Sequence, residues 1–132
     1  MTTEHIRNQL LNELTKLAVG YDWRVLFIDV EVEARGKDSK YYVDSSVAVC
    51  ICKVDDAWAD RDLELPVKVR ELIYALNTHS PEPWTTLRVR IEPDDVVQWE
   101  LIDLPAKRLI GEPDETEAII QELLVNVRNE GE

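Results

Sequence analysis

From Trp23 onward the side chains alternate with a period of two: Leu26, Ile28, Val30 and Val32 point one way, and Phe27, Asp29, Glu31 and Glu33 the other. Only an extended strand turns successive side chains to opposite faces, so this stretch reads as a half-buried strand. A second alternating stretch, Tyr41, Val43, Val47, Val49 and Ile51, follows the turn chemistry of Arg35-Gly36-Lys37-Asp38, which predicts a hairpin. The pattern returns where Leu87, Val89 and Ile91 alternate with Arg88, Arg90 and Glu92. After the turn Pro93-Asp94-Asp95, Val97, Trp99 and Leu101 alternate with Gln98 and Glu100. This is a second hairpin.

Helical spacing fills the gaps between the hairpins. Thr2 or Thr3 caps a first helix with Ile6, Leu10, Leu11, Leu14 and Leu17 on its apolar side, and Gly20 stops it. Pro66 stands in the first turn of a second helix with a Val69, Leu72, Ile73 and Leu76 stripe ending by Asn77, beyond which Ser80-Pro81-Glu82-Pro83 cannot continue it. Pro113 opens a final helix with Ile119, Ile120, Leu123, Leu124 and Val127, before Gly131. The charged stretch from Lys53 to Leu65 shows no period and reads as a loop with at most one helical turn. The expected fold is α+β, in the order α-β-β-α-β-β-α: an antiparallel four-stranded sheet made of two hairpins, with helices packed on one side. At 132 residues, with no linker or composition break, one domain covers 1–132.

Charge narrows the function classes. Fifteen Lys and Arg against 27 Asp and Glu leave a net charge of -12, and an apolar content of 45% is that of a folding chain. Nucleic acid and anionic membranes select basic surfaces, so neither is an expected partner; a basic protein is. The N-terminal segment lacks the charged start and apolar run of a secretory signal, and apolar stretches such as Val47 to Cys52 are far shorter than a membrane span. A cytoplasmic protein is expected. Cys50 and Cys52 lie two apart on one strand face and are expected to be free, buried thiols.

No catalytic constellation stands out. His5 and His79 lack a recognisable Ser or Cys partner, the two cysteines have no second half for a zinc site, and the four glycines are isolated from one another. No metal, cofactor or catalytic residue is assigned. With 27 acids any carboxylate spacing arises by chance, so solvated polar faces are the default over a general acid and base pair.

The first hairpin carries more information. Closure through Arg35 to Asp38 would set Glu33 opposite Lys40, Glu31 opposite Tyr42 and Asp29 opposite Asp44, a net charge of -3 on one face. Like charges across a ladder cost up to ~1 kcal/mol, so a cation is expected to offset them. Arg88 and Arg90 of the second hairpin are the internal source; a Lys- and Arg-rich partner is the external one. In the external case Asp29, Glu31, Glu33, Tyr42 and Asp44 form the contact surface, extended by Asp55, Asp56, Asp60 and the aromatic Trp58. Trp23 and Trp99 read as core residues, Trp84 as the ring closing its turn over the sheet edge, and Trp58 as partly exposed.

The run YDWRVLFIDVEVEARG, the Tyr-rich KYYVDSS, and Glu82-Pro83-Trp84-Thr85-Thr86-Leu87 before a charged strand together resemble the YezG-like family of bacterial immunity proteins, over about Ile6 to Leu101. The chain departs from that family in its short region between the second strand and second helix and in a shorter segment after Leu101. The resemblance implies a small acidic cytoplasmic antitoxin that binds and neutralises the toxin domain of a secreted polymorphic toxin, nucleases among them. A basic nuclease groove would accept an acidic face in place of phosphate. The competing expectations are a secretion chaperone or adaptor, which leaves toxin activity intact, and a carboxylate-dependent enzyme.

Overall fold

The structure is a computed structural model that describes residues 2–36 and 41–130. Three helices, α1 (Thr3–Lys16), α2 (Val67–His79) and α3 (Thr116–Glu130), accompany five strands: β1 (Trp23–Arg35), β2 (Tyr41–Val54), β3 (Ala57–Asp62), β4 (Thr86–Glu92) and β5 (Val96–Ile102). The strands form one sheet in the order β3-β2-β1-β4-β5, every neighbouring pair antiparallel. Both expected hairpins are present. The sheet has five strands rather than four, because the stretch read as a loop contains β3.

The hairpin joining β2 to β3 turns through Asp55 (φ 51°) and Asp56 (φ 66°), with Val54 opposite Ala57. A two-residue hairpin needs the left-handed region at both central positions, which Asp tolerates better than bulky residues. Acids and alanines on an edge strand give no apolar alternation, so this strand left no periodic signal. In the first helix Thr2 is the N-cap, its hydroxyl accepting from the His5 N–H at 3.1 Å. Pro66 is the N-cap of α2 rather than part of its first turn, and α2 runs on to His79. Trp84 closes its turn as expected: it is buried, and its indole N–H donates to Ser80 Oγ at 2.9 Å.

The helices do not share one side. Ile6, Leu10 and Leu14 of α1 and Val69, Ile73 and Leu76 of α2 bury the face carrying Leu26, Ile28, Val30, Cys50, Cys52 and Val89. On the opposite face Ile120, Leu123, Leu124 and Val127 of α3 cover Val25, Phe27, Val49 and Ile51. The layering is therefore two helices, sheet, one helix, and residues 25–32 of β1 are buried on both faces instead of half-buried. Each of those α3 side chains contributes about 1.5–3 kcal/mol on burial, so an apolar stripe of four needs a face of its own once α1 and α2 occupy the other.

Cys50 and Cys52 are free and fully buried in the larger core. Burial, and then the neighbouring Cys52, push the Cys50 thiol up to about 12. The nucleophile is the thiolate, which burial disfavours at Cys50, and Cys52 is closed off from reagent by the core around it, so neither cysteine of the native protein should react with iodoacetamide near about pH 8, while both should react in denaturant. Rapid labelling of the folded chain, read by mass spectrometry, would contradict the packing.

Candidate interaction surface

The register of the first hairpin decides where its acids go. Asp29 pairs with Val47, Glu31 with Ser45 and Glu33 with Val43, three residues away from the expected alignment. An odd slip turns every side chain of one strand to the other face. Tyr42 and Asp44 therefore lie on the opposite side of the sheet from Asp29, Glu31 and Glu33, and the expected patch does not assemble. The anticipated partner of Glu33, Lys40, lies outside the described residues, as do Lys37 and Asp38 of the expected turn and Gly131.

Asp29 and Glu31 are enclosed, at 1% and 3% exposure. Arg88, opposite Asp29 on β4, donates from Nε to Asp29 Oδ2 at 2.8 Å, and its Nη2 reaches Glu115 Oε1 at 3.0 Å. A second guanidinium comes from the segment 103–115, which leaves β5 and crosses the sheet to α3. Arg108 Nη1 sits 2.8 Å from Asp29 Oδ1 and 3.6 Å from Glu31 Oε2, and also pairs with Asp114. Its Nη2 donates to the carbonyls of Asp29 (3.0 Å) and Ser45 (2.8 Å), and its Nε to Ser45 Oγ (3.2 Å). The Leu109 N–H completes the cluster by donating to Glu31 Oε1 at 3.0 Å.

This ionic half of the sheet face lies under the strap 103–115, beside the apolar half under α3. Asp114 links the two, since its Oδ1 accepts from Thr116 Oγ1 at 2.9 Å at the start of α3. Burial pushes the Asp114 carboxyl up, but hydrogen bonds from Arg108 and Thr116 outweigh it and hold it below the ordinary carboxylate range. The premise of an uncompensated acidic strand face thus fails for Asp29 and Glu31. Their charges are met by Arg88, the internal source weighed above, and by Arg108, which the linear pattern did not single out. Arg90 turns instead to Glu92, at 3.2 Å.

Tyr42 and Asp44 serve α2. The Tyr42 ring stacks on Tyr74 with centroids 4.9 Å apart, and its hydroxyl meets Thr78 Oγ1 at 2.7 Å. Asp44 accepts from Arg70 Nε and Nη2 at 3.2 and 3.0 Å and from the Tyr74 hydroxyl. Glu33 stays exposed beside Arg35, at 3.3 Å. The Tyr42 and Asp44 side chains are thus both engaged within the fold.

The remaining expected residues cluster at the other edge. Asp55, Asp56 and Asp60 are exposed, as are Asp62 and Glu64 farther along, and none of the five makes an ion pair among the described residues. Trp58 is half-buried against the α3 core, with Lys53 Nζ 5.3 Å and Arg24 Cζ 5.9 Å from its ring centre. The ring is thus already engaged by two cations of its own chain. Asp60, Asp62 and Trp58 share the α3-facing side of β3, because they pair with Ile51, Val49 and Lys53. No group of His, Cys, Asp and Glu with the arrangement of a metal site occurs among the described residues, and none of their helices is long and apolar enough to cross a membrane. No family model matches the chain, and no curated protein matches it.

Proposed function

We infer that the chain is an immunity-type binding protein that seats a basic partner, a cognate toxin domain, on the acidic edge running from the Asp55-Asp56 turn to Glu64. The observation that supports this reading is the five exposed carboxylates of that edge, unpaired among the described residues, in a chain of net charge -12. Such a field raises encounter rates with a cationic surface and lowers them with anions. The resemblance to YezG-like immunity proteins points the same way. The contact surface in this reading is Asp55, Asp56, Asp60, Asp62 and Glu64, with Glu33 outside it and Asp29, Glu31, Tyr42 and Asp44 serving the fold. A carboxylate-dependent enzyme has less support: Asp29 and Glu31 are engaged by internal donors, and the cavity beside them is only about 70 Å³, against at least ~300 Å³ for a typical ligand pocket.

The test is an inhibition assay against the product of any toxin gene found next to this one, the partner this reading requires. Asp60→Lys, Asp62→Lys and Glu64→Lys combined, which spare the left-handed Asp55-Asp56 turn, should weaken inhibition at least about tenfold without changing thermal stability, and binding should weaken steeply as salt is raised. Unaltered inhibition by the triple variant removes this edge as the contact. Binding without inhibition would favour the chaperone or adaptor reading.

A further inference from the structure

The two edges of the sheet are finished differently. Along β3 the Leu63 N–H bonds to Ala48 O at 2.8 Å, which sets the phase of the β2–β3 ladder. Antiparallel strands alternate inward- and outward-bonding residues, so the backbone groups of Trp58, Asp60 and Asp62 face outward. That edge is guarded: Asp60 and Asp62 carry charge, and Arg128 reaches over from α3 to donate to Trp58 O at 3.3 Å from Nε and 3.0 Å from Nη2.

At β5 the bond from Val32 N–H to Thr85 O, 2.8 Å, sets the phase instead. Leu87, Val89 and Ile91 bond toward β1, so Thr86, Arg88, Arg90 and Glu92 bond toward Ile102, Glu100, Gln98 and Val96. The N–H and C=O groups of Val97, Trp99 and Leu101 therefore face outward, and no side-chain hydrogen bond among the described residues covers them. The seven-residue edge has one charged residue, Glu100, and leaves Val96 and Leu101 45% and 38% exposed. An uncovered edge of this length is a template for another strand.

We propose that β5 pairs antiparallel with β5 of a second copy, joining two sheets edge to edge across a two-fold axis at Trp99. This register uses all seven residues, placing Val96 opposite Ile102, Val97 opposite Leu101 and Trp99 opposite its own copy. It also sets Glu100 opposite the neutral Gln98, whereas centring the axis on Glu100 would oppose two like charges. A strand register that avoids like-charge pairs and brings two indoles together is the favourable one. The acidic β2–β3 turn, at the far edge of the sheet, stays open in the dimer, so this proposal stands apart from the immunity reading.

Sedimentation equilibrium of the full chain tests it. Reversible dimers should appear at roughly 10–100 µM and strengthen as salt screens the repulsion between two acidic chains, opposite to the salt response of a complex with a basic partner. Gln98→Lys should tighten the dimer about fivefold by facing Glu100 of the second copy, and Gln98→Glu should loosen it about fivefold. Asn126→Lys makes the same charge change as Gln98→Lys, but on α3, and should have far less effect. Leu101→Pro removes an outward N–H and should abolish association. A monomer at about 500 µM in ~0.5 M salt overturns the proposal, as does equal tightening by Gln98→Lys and Asn126→Lys; if Leu101→Pro fails to fold, the Gln98 pair decides.

Discussion

Asp29→Ala should lower the unfolding free energy by about 3–5 kcal/mol, the cost of leaving buried guanidinium groups without their carboxylate. Arg88 and Arg108, with side chains 16% and 15% exposed, both converge on Asp29, so the variant removes the most buried partner of two cations at once, leaving Arg88 to Glu115 and Arg108 to Glu31 and Asp114. Against a typical domain stability of about 5–15 kcal/mol, that is a large fraction. Urea denaturation gives the loss directly, as a lower midpoint at unchanged slope. Asp29→Leu combined with Arg88→Met should recover part of it, because an apolar pair of similar volume no longer demands solvation. The two roles considered for Asp29 separate cleanly here. A partner contact would lose affinity and keep its stability; a variant within about 1 kcal/mol of the parent would sink the internal role.

Arg108→Ala should release the strap while leaving the sheet standing. One side chain supplies the contacts to Asp29, Glu31, Ser45 and Asp114; Leu109 N–H to Glu31 depends on the strap lying flat, and Thr85 Oγ1 to the Leu104 carbonyl and Arg88 to Glu115 hold only its two ends. Hydrogen exchange should show the amides of 104–114 losing protection while those of β1 keep theirs, with a global loss of about 3 kcal/mol. Acidity adds a second readout. Because the folded-state value of Asp114 is depressed, its contribution is fully present above the ordinary carboxylate value of ~3.9 and is lost as pH falls through the lower folded value. Without Arg108 much of that gap closes, so the acid limb becomes shallower and the difference between parent and variant narrows below about pH 4. A difference that widens on acidification would contradict the pairing.

Much of the secondary structure was legible in the chain. The apolar stripes of α1, α2 and α3 and the alternation in β1, β2, β4 and β5 reflect burial of one side of each element, and periodicity reports that directly. β3 escaped because it is an edge strand: its side chains are alanine, tryptophan and charges, and its turn uses two aspartates in place of glycine or asparagine. The candidate site was legible in composition but not in place. The acids from Asp55 to Asp60 are exposed, as their polarity suggests, while Asp29 and Glu31, equally polar, are buried. No local pattern separates the two cases, because the cations that make burial tolerable lie 59 and 79 positions away from Asp29.

The sequence by itself determined the three helices, four of the five strands in their order, both expected hairpins, and a net charge of -12, since each follows from local spacing or from a sum over residues. Only the tertiary structure decided the hairpin register, the division of the helices between two sheet faces, and which carboxylates stay exposed and unpaired among the described residues. A three-residue shift in pairing leaves every local pattern intact yet exchanges the faces of Tyr42 and Asp44, and a single arginine in an aperiodic segment neutralises acids that neighbour it only in the folded chain.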